Sequence, residues 1–414
     1  MSDRSILIVG GGTFGLSTAY HLAKGGYSNV TVLEKSPYMP PEDSAGNDLN
    51  KIIRAEYEDP WYAELALGAM KEWRENPLFA PYYHEVGYLL ANSPAAPEKA
   101  KKTLAKSLSS IAQHPAFAGQ IKPLKTREDI RSVAPVFTGP MEWRGYFNRL
   151  AGYAHSGDAL KATYAACCDR GVVFHLGETV TSLVYGGSEC RGATTVSGKQ
   201  YNADIVILTL GASIASLLPS ISSQITAKAW SVAHVQLTAM EAAQLKGIPV
   251  TYARDLGFFF EPDQKTNLLK ICPSGGGITN FGEGSISLPP VDSSFIPRHD
   301  EDGVRRLLRE TLPELAQRPL VDKKMCWVAD TSDSEYIIDF VPEKEGLIVV
   351  AGDSGHAFKM LPVVGSWVKM LIEEKGQSHK RWRWKKKDGE DGDVSWRVGN
   401  VFDLKDIKEF SVKL

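Results

Sequence analysis

Long apolar runs and an excess of one charge are both missing from this sequence. No stretch approaches the ~18 consecutive apolar residues that a membrane-spanning helix needs, so we expect no membrane partner. The formal net charge is −2, which lacks the basic surplus typical of nucleic-acid binding. The chain has 414 residues, enough for two or three domains and a large buried core. These features are those of a soluble enzyme.

Cysteine is also scarce. Five cysteines stand at the irregular positions 167, 168, 190, 272 and 326, a spacing that fits neither a disulfide framework nor a zinc site. We therefore expect a reducing compartment and no metal ion. The first residues lead straight into an apolar run without a signal-peptide pattern. Ser411-Val412-Lys413-Leu414 is close to the peroxisomal Ser-Lys-Leu signal, so we expect a cytoplasmic or peroxisomal protein.

The only compositionally biased stretch lies late in the chain. The basic run at 380–387 is interleaved with Trp382 and Trp384 and leads into the acidic run at 388–393. Basic residues with aromatic neighbours can indicate binding of single-stranded nucleic acid. The favoured alternative is a segment that lays its tryptophans on the protein and its charges in water. We therefore expect no nucleic-acid partner.

The opening of the chain predicts a dinucleotide site. Gly10, Gly12 and Gly15 have the spacing that provides a tight turn, close backbone approach to a pyrophosphate and close packing of a helix on a strand. The helix N-terminus then offers free N–H groups to the phosphates. Glu34 ends the next strand, where a carboxylate can accept from both ribose hydroxyls. FAD and NAD both fit this pattern, and NADP does not. The strand, turn, helix and second strand are expected at 5–9, 10–15, 16–24 and 30–34.

Distant segments complete an α/β fold. A helix is predicted at 159–170, and it is followed at 171–180 by a short strand turning into another. A buried apolar strand is predicted at 203–212, and a last strand at 347–351. Alternating strands and helices indicate a parallel sheet covered on both faces. Residues 216–324 have a different character, with antiparallel-looking strands such as 231–237 and 257–260. We expect a discontinuous nucleotide-binding domain at 1–60, 150–215 and 325–414, and a substrate-binding domain at 61–149 and 216–324.

Four further motifs resemble a known family. They are Asn50-Lys51-Ile52-Ile53-Arg54, Phe260-Glu261-Pro262-Asp263, Cys326-Trp327 with Ile337-Ile338-Asp339, and Ser354-Gly355-His356-Ala357-Phe358-Lys359. Together with the opening motif, they resemble the monomeric sarcosine oxidase group of flavoenzymes, which includes the fungal fructosyl-amine oxidases (amadoriases) and the saccharopine and pipecolate oxidases. The resemblance covers nearly the whole chain and is closest to the saccharopine and pipecolate branch. It implies an FAD-binding Rossmann-like domain of the glutathione-reductase type with an inserted α+β substrate domain on a largely antiparallel sheet.

The resemblance narrows the cofactor to FAD and implies a reaction. That reaction is oxidation of a secondary amine by O2 to an imine and H2O2. Cys326 matches the position of a covalent link to the flavin, and a buried free thiol is the alternative. Lys270 matches the lysine that faces the flavin and stabilises superoxide, whereas its alternative is a solvent-facing strand residue.

The same resemblance implies a carboxylate clamp. Arg54 and Lys359 match the pair that holds the substrate carboxylate, because a guanidinium fork and an ammonium suit that group. A surface ion pair with Glu56 or Glu58 is the alternative for Arg54. Lys51 matches a second basic position near the flavin, with a catalytic role or a pairing with Asp48 as the alternatives. His356 has no assigned proton transfer and is either near the flavin or simply packed and hydrogen-bonded. The full set of expected cofactor-binding residues is Gly10, Gly12, Thr13, Phe14, Gly15, Glu34, Lys35, Val180, Gly211, Cys326, Gly355, His356, Phe358 and Lys359.

Departures from the family bear on the substrate. Fructosyl-amine oxidases have an acidic pair where this chain has Pro273-Ser274-Gly275, and an arginine where it has His356. They also lack an arginine at the position of Arg54. We therefore expect a carboxylated secondary amine, such as saccharopine, pipecolate or an N-methyl amino acid, oxidised by a monomer. A fructosyl-amino-acid oxidase, a flavin dehydrogenase with another electron acceptor and a non-catalytic dinucleotide-binding protein remain as alternatives.

Overall fold

The structure, a computed structural model, describes residues 4–282, 285–385 and 397–407. The acidic run at 388–393 and the C-terminal Ser411-Val412-Lys413-Leu414 lie outside the described residues, so the peroxisomal signal stays a prediction. Among the described residues, no helix is both long and apolar enough to cross a bilayer.

The helices and strands are numbered in chain order within the described residues. The helices are α1 Thr13–Lys24, α2 Pro60–Glu75, α3 Glu98–Ala112, α4 Arg127–Arg131, α5 Ser156–Cys168, α6 Ile214–Leu217, α7 Ala239–Gln244, α8 Arg298–Thr311 and α9 Val364–Glu374. The strands are β1 Ile6–Val9, β2 Val30–Glu34, β3 Lys51–Ile53, β4 Tyr83–His84, β5 Tyr88–Asn92, β6 Ile121–Leu124, β7 Arg144–Asn148, β8 Gly152–Ala154, β9 Val173–Leu176, β10 Val180–Gly186, β11 Glu189–Thr195, β12 Gln200–Asn202, β13 Ile205–Leu208, β14 Ile225–Gln236, β15 Val250–Ala253, β16 Gly257–Phe259, β17 Leu268–Pro273, β18 Ile278–Thr279, β19 Leu320–Thr331, β20 Ile337–Phe340, β21 Leu347–Ala351 and β22 Phe402–Asp403.

A six-stranded sheet carries the opening motif. Its order is β20-β21-β13-β1-β2-β9, and all its pairs are parallel except β20 with β21. Strands β1, β13 and β21 are buried throughout, as expected for a sheet covered on both faces. Helix α1 packs against α5 and α9, and a Cβ atom at Gly365 would lie 2.0 Å from the carbonyl oxygen of Ser17. The predicted helix at 159–170 and the predicted strands are confirmed, with the helix at 156–168 and the strands at 173–176, 205–208 and 347–351. The strand at 173–176 is only partly buried.

The glycine turn explains how β1 meets α1. Gly10 has a φ of +106°, a left-handed conformation that favours glycine. A Cβ atom at Gly15 would lie 1.9 Å from the carbonyl oxygen of Gly10, so helix and turn can only approach this closely without a side chain. The tight turn and the close packing that the spacing predicts are both present.

A second, larger sheet is mostly antiparallel. Its order is β22-β18-β14-β17-β16-β15-β5-β7-β6, with β19 paired to β14. Alternation along the strands gives this sheet two different faces. One face carries Leu89, Phe259, Leu269 and Ile271, which share a core with residues of α4, α7 and α8. This confirms the α/β class with a largely antiparallel second sheet.

The opposite face of the larger sheet bounds the space where the predicted site residues meet. Tyr88 and Tyr146 alternate with the residues of the first face and join the core that also contains Ile8 of the parallel sheet. Lys270 lies on β17 between Leu269 and Ile271, so its side chain points to the same side as these tyrosines. The proposed domain boundaries stay a prediction, and β19 runs through the one at residue 325.

The start of the basic late segment packs on the protein. Trp382 is fully buried and tilts against Trp367, with ring centroids 4.6 Å apart. Arg381 does not point freely into water, because its guanidinium forms ion pairs with Glu335 and Asp59. The interpretation that the tryptophans lie on the protein is confirmed for Trp382. The expectation that the charges of this segment lie in water is wrong for Arg381, because its guanidinium is ion-paired.

Candidate active site

The glycine turn at 10–12 and the start of α1, called the glycine cradle below, have backbone N–H donors free for a ligand. No side chain caps the helix at Gly12, and no acidic residue stands in its first turn, so the first backbone N–H groups face outward without a protein acceptor from a cap. The buried carboxylate of Glu34 accepts from the backbone N–H of Gly11 at 2.6 Å and from that of Ser36 at 2.9 Å. Free donors, open glycine backbone and a carboxylate at the next strand end are what a dinucleotide requires.

The remaining residues expected around the cofactor have different surroundings. The Phe14 ring is buried edge-on against Tyr336, with centroids 6.0 Å apart, which leaves only its backbone for a cofactor. The Lys35 ammonium pairs with Asp43 at 2.6 Å on the surface. Gly211 has a φ of +52° and open space where a Cβ atom would be. Thr13 is the first residue of α1, and the half-buried Val180 is the first residue of β10. Gly355 has a φ of +72°. Phe358 is half-buried beside Trp73.

A buried carboxylate joins the two lysines predicted to be catalytic. The Lys270 ammonium lies 2.5 Å from Oδ2 of Asp48, and the Lys51 ammonium lies 2.8 Å from the same oxygen. Lys270 also donates to the backbone carbonyl of Asn50 at 2.6 Å. Lys324 reaches the other carboxylate oxygen of Asp48 at 3.9 Å. Lys270 is therefore not a solvent-facing strand residue, and the pairing of Lys51 with Asp48 that the sequence left open is present.

Burial and charge act against each other in this cluster. Burial acts to raise the pKa of Asp48, but the ammonium groups of Lys270, Lys51 and Lys324 outweigh it and hold that pKa well below its usual range. Burial lowers the pKa of Lys270, and the charge of Lys51 lowers it further, while Asp48 opposes both effects. The carboxylate is therefore ionised at neutral pH, and Lys270 depends on it to keep its proton.

Cys326 lies at the edge of the same cluster. It is a free, half-buried cysteine on β19, and its Sγ atom is 3.8 Å from the Lys51 ammonium. Its nearest backbone acceptor is the carbonyl of Ala45, at 3.9 Å. The cysteine predicted to hold the flavin thus stands beside the predicted catalytic lysines, although the strand that carries it is far from them in sequence.

The predicted carboxylate clamp is assembled around Tyr57. The Arg54 guanidinium lies 5.3 Å from the centroid of the Tyr57 ring and 5.8 Å from that of Tyr88. The Lys359 ammonium donates to the Tyr57 hydroxyl at 2.9 Å and to the carbonyl of His356 at 3.1 Å. Within the described part of the chain, neither cation has a carboxylate within ion-pair distance. The alternative of a surface ion pair between Arg54 and Glu56 or Glu58 is not seen there.

His356 is packed and fully hydrogen-bonded. Its Nδ1 atom is 2.9 Å from the hydroxyl of Tyr57 and 3.0 Å from that of Tyr336, and its Nε2 atom is 2.9 Å from the carbonyl of Ser334. Burial lowers the pKa of His356 to about 3, with the charge of Lys359 adding to the effect. The imidazole is therefore neutral at physiological pH, which agrees with the absence of an assigned proton transfer.

Several buried polar atoms near these residues have no hydrogen-bond partner among the residues that the structure describes. Both side-chain atoms of Asn50, next to Lys51, are unpaired, and so are Oε2 of Glu56 and the hydroxyls of Tyr88 and Tyr146. Glu56 is held through its other oxygen by Asn148 at 2.7 Å. Because unpaired buried polar atoms are costly, this set fits a site completed by a polar ligand.

A cavity of about 320 Å³ lies beside the glycine-rich loop at 275–277. It is lined by Trp230, whose cross-strand partner is Cys326, and by Ser274 and Gly275. Trp230 donates to the carbonyl of Gly275 at 3.0 Å, which fixes the loop against the sheet. The residues that replace the acidic pair of fructosyl-amine oxidases therefore border this cavity.

Sequence reasoning missed several members of the site. Asp48 entered only as a possible partner of Lys51, and Asn50 only as the first residue of a family motif. Tyr57 and the hydroxyls of Tyr88 and Tyr146 were not considered. For Asp48 and Asn50, the available signal was the dense polar run Asn47-Asp48-Leu49-Asn50-Lys51 at the start of a short strand. Nothing local in the sequence marks Tyr88 and Tyr146, because only the pairing of β5 with β7 places these two residues together.

Comparisons with known proteins agree with this geometry. The family model described as FAD dependent oxidoreductase matches residues 5–371. L-saccharopine oxidase of Schizosaccharomyces pombe is 34% identical, over 98% of this chain and 99% of its own length. N-methyl-L-tryptophan oxidase of Yersinia pestis is 25% identical, over 90% and 96% respectively. The crystal structure of fructosamine oxidase (Amadoriase II) from Aspergillus fumigatus superposes with a TM-score of 0.90 at 35% identity, covering 98% of this chain and 96% of that one.

The family match and the site agree on the cofactor. The family match covers both the glycine cradle and the cluster around Lys270. The uncapped N-terminus of α1, the carboxylate of Glu34 and the unpaired amide of Asn50 are groups that FAD can use. The chain belongs to the FAD dependent oxidoreductase family.

Proposed function

We propose that the substrate is a carboxylated secondary amine, such as saccharopine, pipecolate or an N-methyl amino acid. The protein is an FAD-dependent amine oxidase acting on secondary amino acids, as the relatives named for L-saccharopine and N-methyl-L-tryptophan oxidation support. The single observation that carries the substrate class is the pair of cations, half-buried Arg54 and buried Lys359, with no carboxylate within ion-pair distance among the described residues. The amine is oxidised to an imine, and O2 accepts two electrons and two protons to give H2O2.

Arg54 and Lys359 are proposed to orient the substrate. A carboxylate between them would accept from the guanidinium and from the remaining N–H of the ammonium, and would relieve the repulsion between the two cations. That repulsion contributes to a pKa of Lys359 well below its usual range, with burial the larger cause. Fixing the carboxylate fixes the neighbouring carbon and nitrogen, which is catalysis by orientation. Two nearby cations also favour binding of the neutral amine over the ammonium, so no dedicated base is required.

FAD, when bound, supplies the two-electron acceptor that links amine oxidation to O2 reduction. We propose that Lys270 contributes the fixed positive charge that O2 needs as it gains its first electron. Its ammonium is held by Asp48 and by the carbonyl of Asn50, so it keeps one geometry. A preorganised cation needs no reorganisation when negative charge develops on O2. The fixed position of the Lys270 ammonium is therefore part of its proposed role.

We also propose that Cys326 forms a covalent thioether with the flavin. The half-buried thiol beside Lys51, at the edge of the site, supports this assignment. Forming the bond removes one hydrogen from the thiol and one from a methyl group of the flavin, and the two electrons released end on O2 as H2O2. The consequence is a cofactor that denaturation does not release.

A second candidate substrate class is a fructosyl amino acid. The 35% identity to Amadoriase II, named for deglycation, favours it. The chain has Pro273, Ser274 and Gly275 where those enzymes carry an acidic pair, and these residues border the cavity instead. We therefore place fructosyl amino acids second.

The test is H2O2 release in air against a panel of amines. The panel contains L-saccharopine, L-pipecolate, sarcosine, N-methyl-L-tryptophan and fructosyl-valine. Release with L-saccharopine, L-pipecolate, sarcosine or N-methyl-L-tryptophan and none with fructosyl-valine supports the proposal. Release with fructosyl-valine alone would replace it by the second candidate, and anaerobic flavin reduction without H2O2 in air would indicate a dehydrogenase.

Oligomeric state and location are proposed separately. We propose a monomer in the cytoplasm or the peroxisome, on the sequence alone. Light scattering of the purified protein and fluorescence microscopy of a tagged chain, with and without its last three residues, test the two statements.

A further inference from the structure

One carboxylate controls the geometry of both predicted catalytic lysines. Oδ2 of Asp48 lies 2.5 Å from the Lys270 ammonium and 2.8 Å from the Lys51 ammonium, and the Asp48 side chain is 2% exposed. The loop before β3, strand β3 itself and strand β17 therefore meet at a single oxygen atom. Such a shared oxygen fixes the distance between the two cations as well as their positions.

We propose that Asp48 is the positioning residue of the oxygen site: its carboxylate clamps Lys270 and Lys51 and keeps Lys270 charged. The proposal rests on the proposed role of Lys270 in the reaction with O2. No assignment of Asp48 follows from the family match or from the names of the relatives.

The hydrogen bonds of Lys270 leave it one direction for a ligand. An ammonium has three N–H donors. Asp48 takes one, and the carbonyl of Asn50 takes another at 2.6 Å. The ring of Phe260 lies 5.1 Å from the ammonium and excludes water on that side. The third donor is therefore the one available to a bound ligand, and losing Asp48 would free the ammonium to rotate.

The charge of Lys270 depends on the same carboxylate. The titratable groups that face it are Asp48, Lys51, Lys324, His234 and Cys272. Burial raises the pKa of Cys272 to about 12 and lowers that of His234, so both are neutral at neutral pH. Without Asp48, the ammonium groups of Lys270, Lys51 and Lys324 would lose the carboxylate that they share. Lys270 would then lose its proton first, because its side chain is 2% exposed against 22% for Lys51.

Thermal unfolding tests the clamp without using activity. At about pH 6, Asp48→Asn should unfold about 5 °C or more below the wild type, because it leaves buried charge unpaired. The deficit should shrink towards about pH 9, since Lys270 sheds its proton in the folded variant at lower pH than in the unfolded chain. Asp43→Asn, which removes an exposed carboxylate paired with Lys35, is the matched control and should stay within about 1 °C of the wild type.

A double variant keeps the test decisive. Asp48→Asn with Lys270→Met removes both members of the pair and should recover most of the lost melting temperature at about pH 6. A melting temperature of Asp48→Asn equal to that of the wild type would overturn the proposal. So would a double variant no more stable than Asp48→Asn, including failure of both to fold.

The holoenzyme gives the second readout. In Asp48→Asn, the rate of reoxidation of reduced flavin by O2 should fall about tenfold from about pH 6 to about pH 9, as Lys270 loses its proton, while the wild type changes little. Asp48→Glu should restore part of the flat profile. A flat profile in Asp48→Asn would overturn the proposal. Unchanged reoxidation in Lys270→Met would instead overturn the oxygen role of Lys270 and leave the clamp to the melting data.

Discussion

The ammonium of Lys51 lies 3.8 Å from the sulfur of Cys326, although the two residues are 275 positions apart. This contact joins the lysine cluster around Asp48 to the strand that carries the predicted flavin link. The proposed oxygen site and the proposed flavin attachment site are therefore in direct contact through Lys51 and Cys326. We expect a substitution in one site to affect the other.

Removing the thiol tests the covalent link. Cys326→Ser should yield protein whose FAD is released by acid precipitation, whereas wild-type flavin should stay in the pellet. The replacement keeps the shape of the side chain and exchanges the sulfur for an oxygen. Cys168→Ser, at an exposed cysteine, is the control and should keep the flavin bound. Flavin that stays attached to Cys326→Ser after denaturation would show that another residue holds it.

Removing the charge of Lys270 should separate the two halves of the reaction. Lys270→Met should leave anaerobic flavin reduction by substrate within about threefold of the wild type and slow reoxidation by at least ~100-fold, the scale of losing one preorganised charge. Stopped-flow absorbance of the flavin measures both steps. Lys265→Met, at an exposed lysine, should change neither. Slower reduction with normal reoxidation would move Lys270 to the amine-oxidising step.

Arg54→Gln should weaken substrate binding. Losing a charge-assisted contact of about 3 kcal/mol should raise KM by roughly 100-fold, with a smaller loss in kcat. Steady-state kinetics with the best amine of the panel measures this effect. Arg149→Gln, at an exposed arginine, serves as the control and should leave KM unchanged. A KM unaffected in Arg54→Gln would place the substrate carboxylate elsewhere.

His356 should make the protein less stable in acid. Its folded-state pKa of about 3 is below the ordinary value near 6.5, so the unfolded chain takes up a proton that the folded chain does not. The stability due to neutral His356 is therefore complete above about pH 6.5, and about 2 kcal/mol of it is lost between pH 7 and 5. Denaturant unfolding at both pH values measures the loss.

A matched pair of variants isolates this histidine. His356→Gln should be less stable than the wild type at pH 7 but should lose less free energy of unfolding on going to pH 5. His356→Asn, which removes the same imidazole, should show the same reduced slope. An equal slope in His356→Gln and the wild type would mean that other groups carry the acid sensitivity.

The sequence by itself determined the nucleotide-binding half of the fold. The glycine spacing and the buried strands at 6–9, 30–34 and 205–208 are local patterns, and local patterns are sufficient because each element forms from neighbouring residues. The resemblance then brought Lys270, Arg54, Lys359 and Cys326 into consideration through short motifs. Those motifs could identify residue types but not the contacts between them.

Only the tertiary structure decided what those residues contact. Asp48 and Lys270 are 222 positions apart, and Tyr57 and Lys359 are 302 apart, so no local pattern joins them. Strand register brings Lys270 to the face of the large sheet that meets the parallel sheet, and burial in that space makes each cation depend on a specific partner. The interaction energy of two charges in a low-dielectric interior depends on the distance between them. For charges on remote segments, that distance is set by the fold.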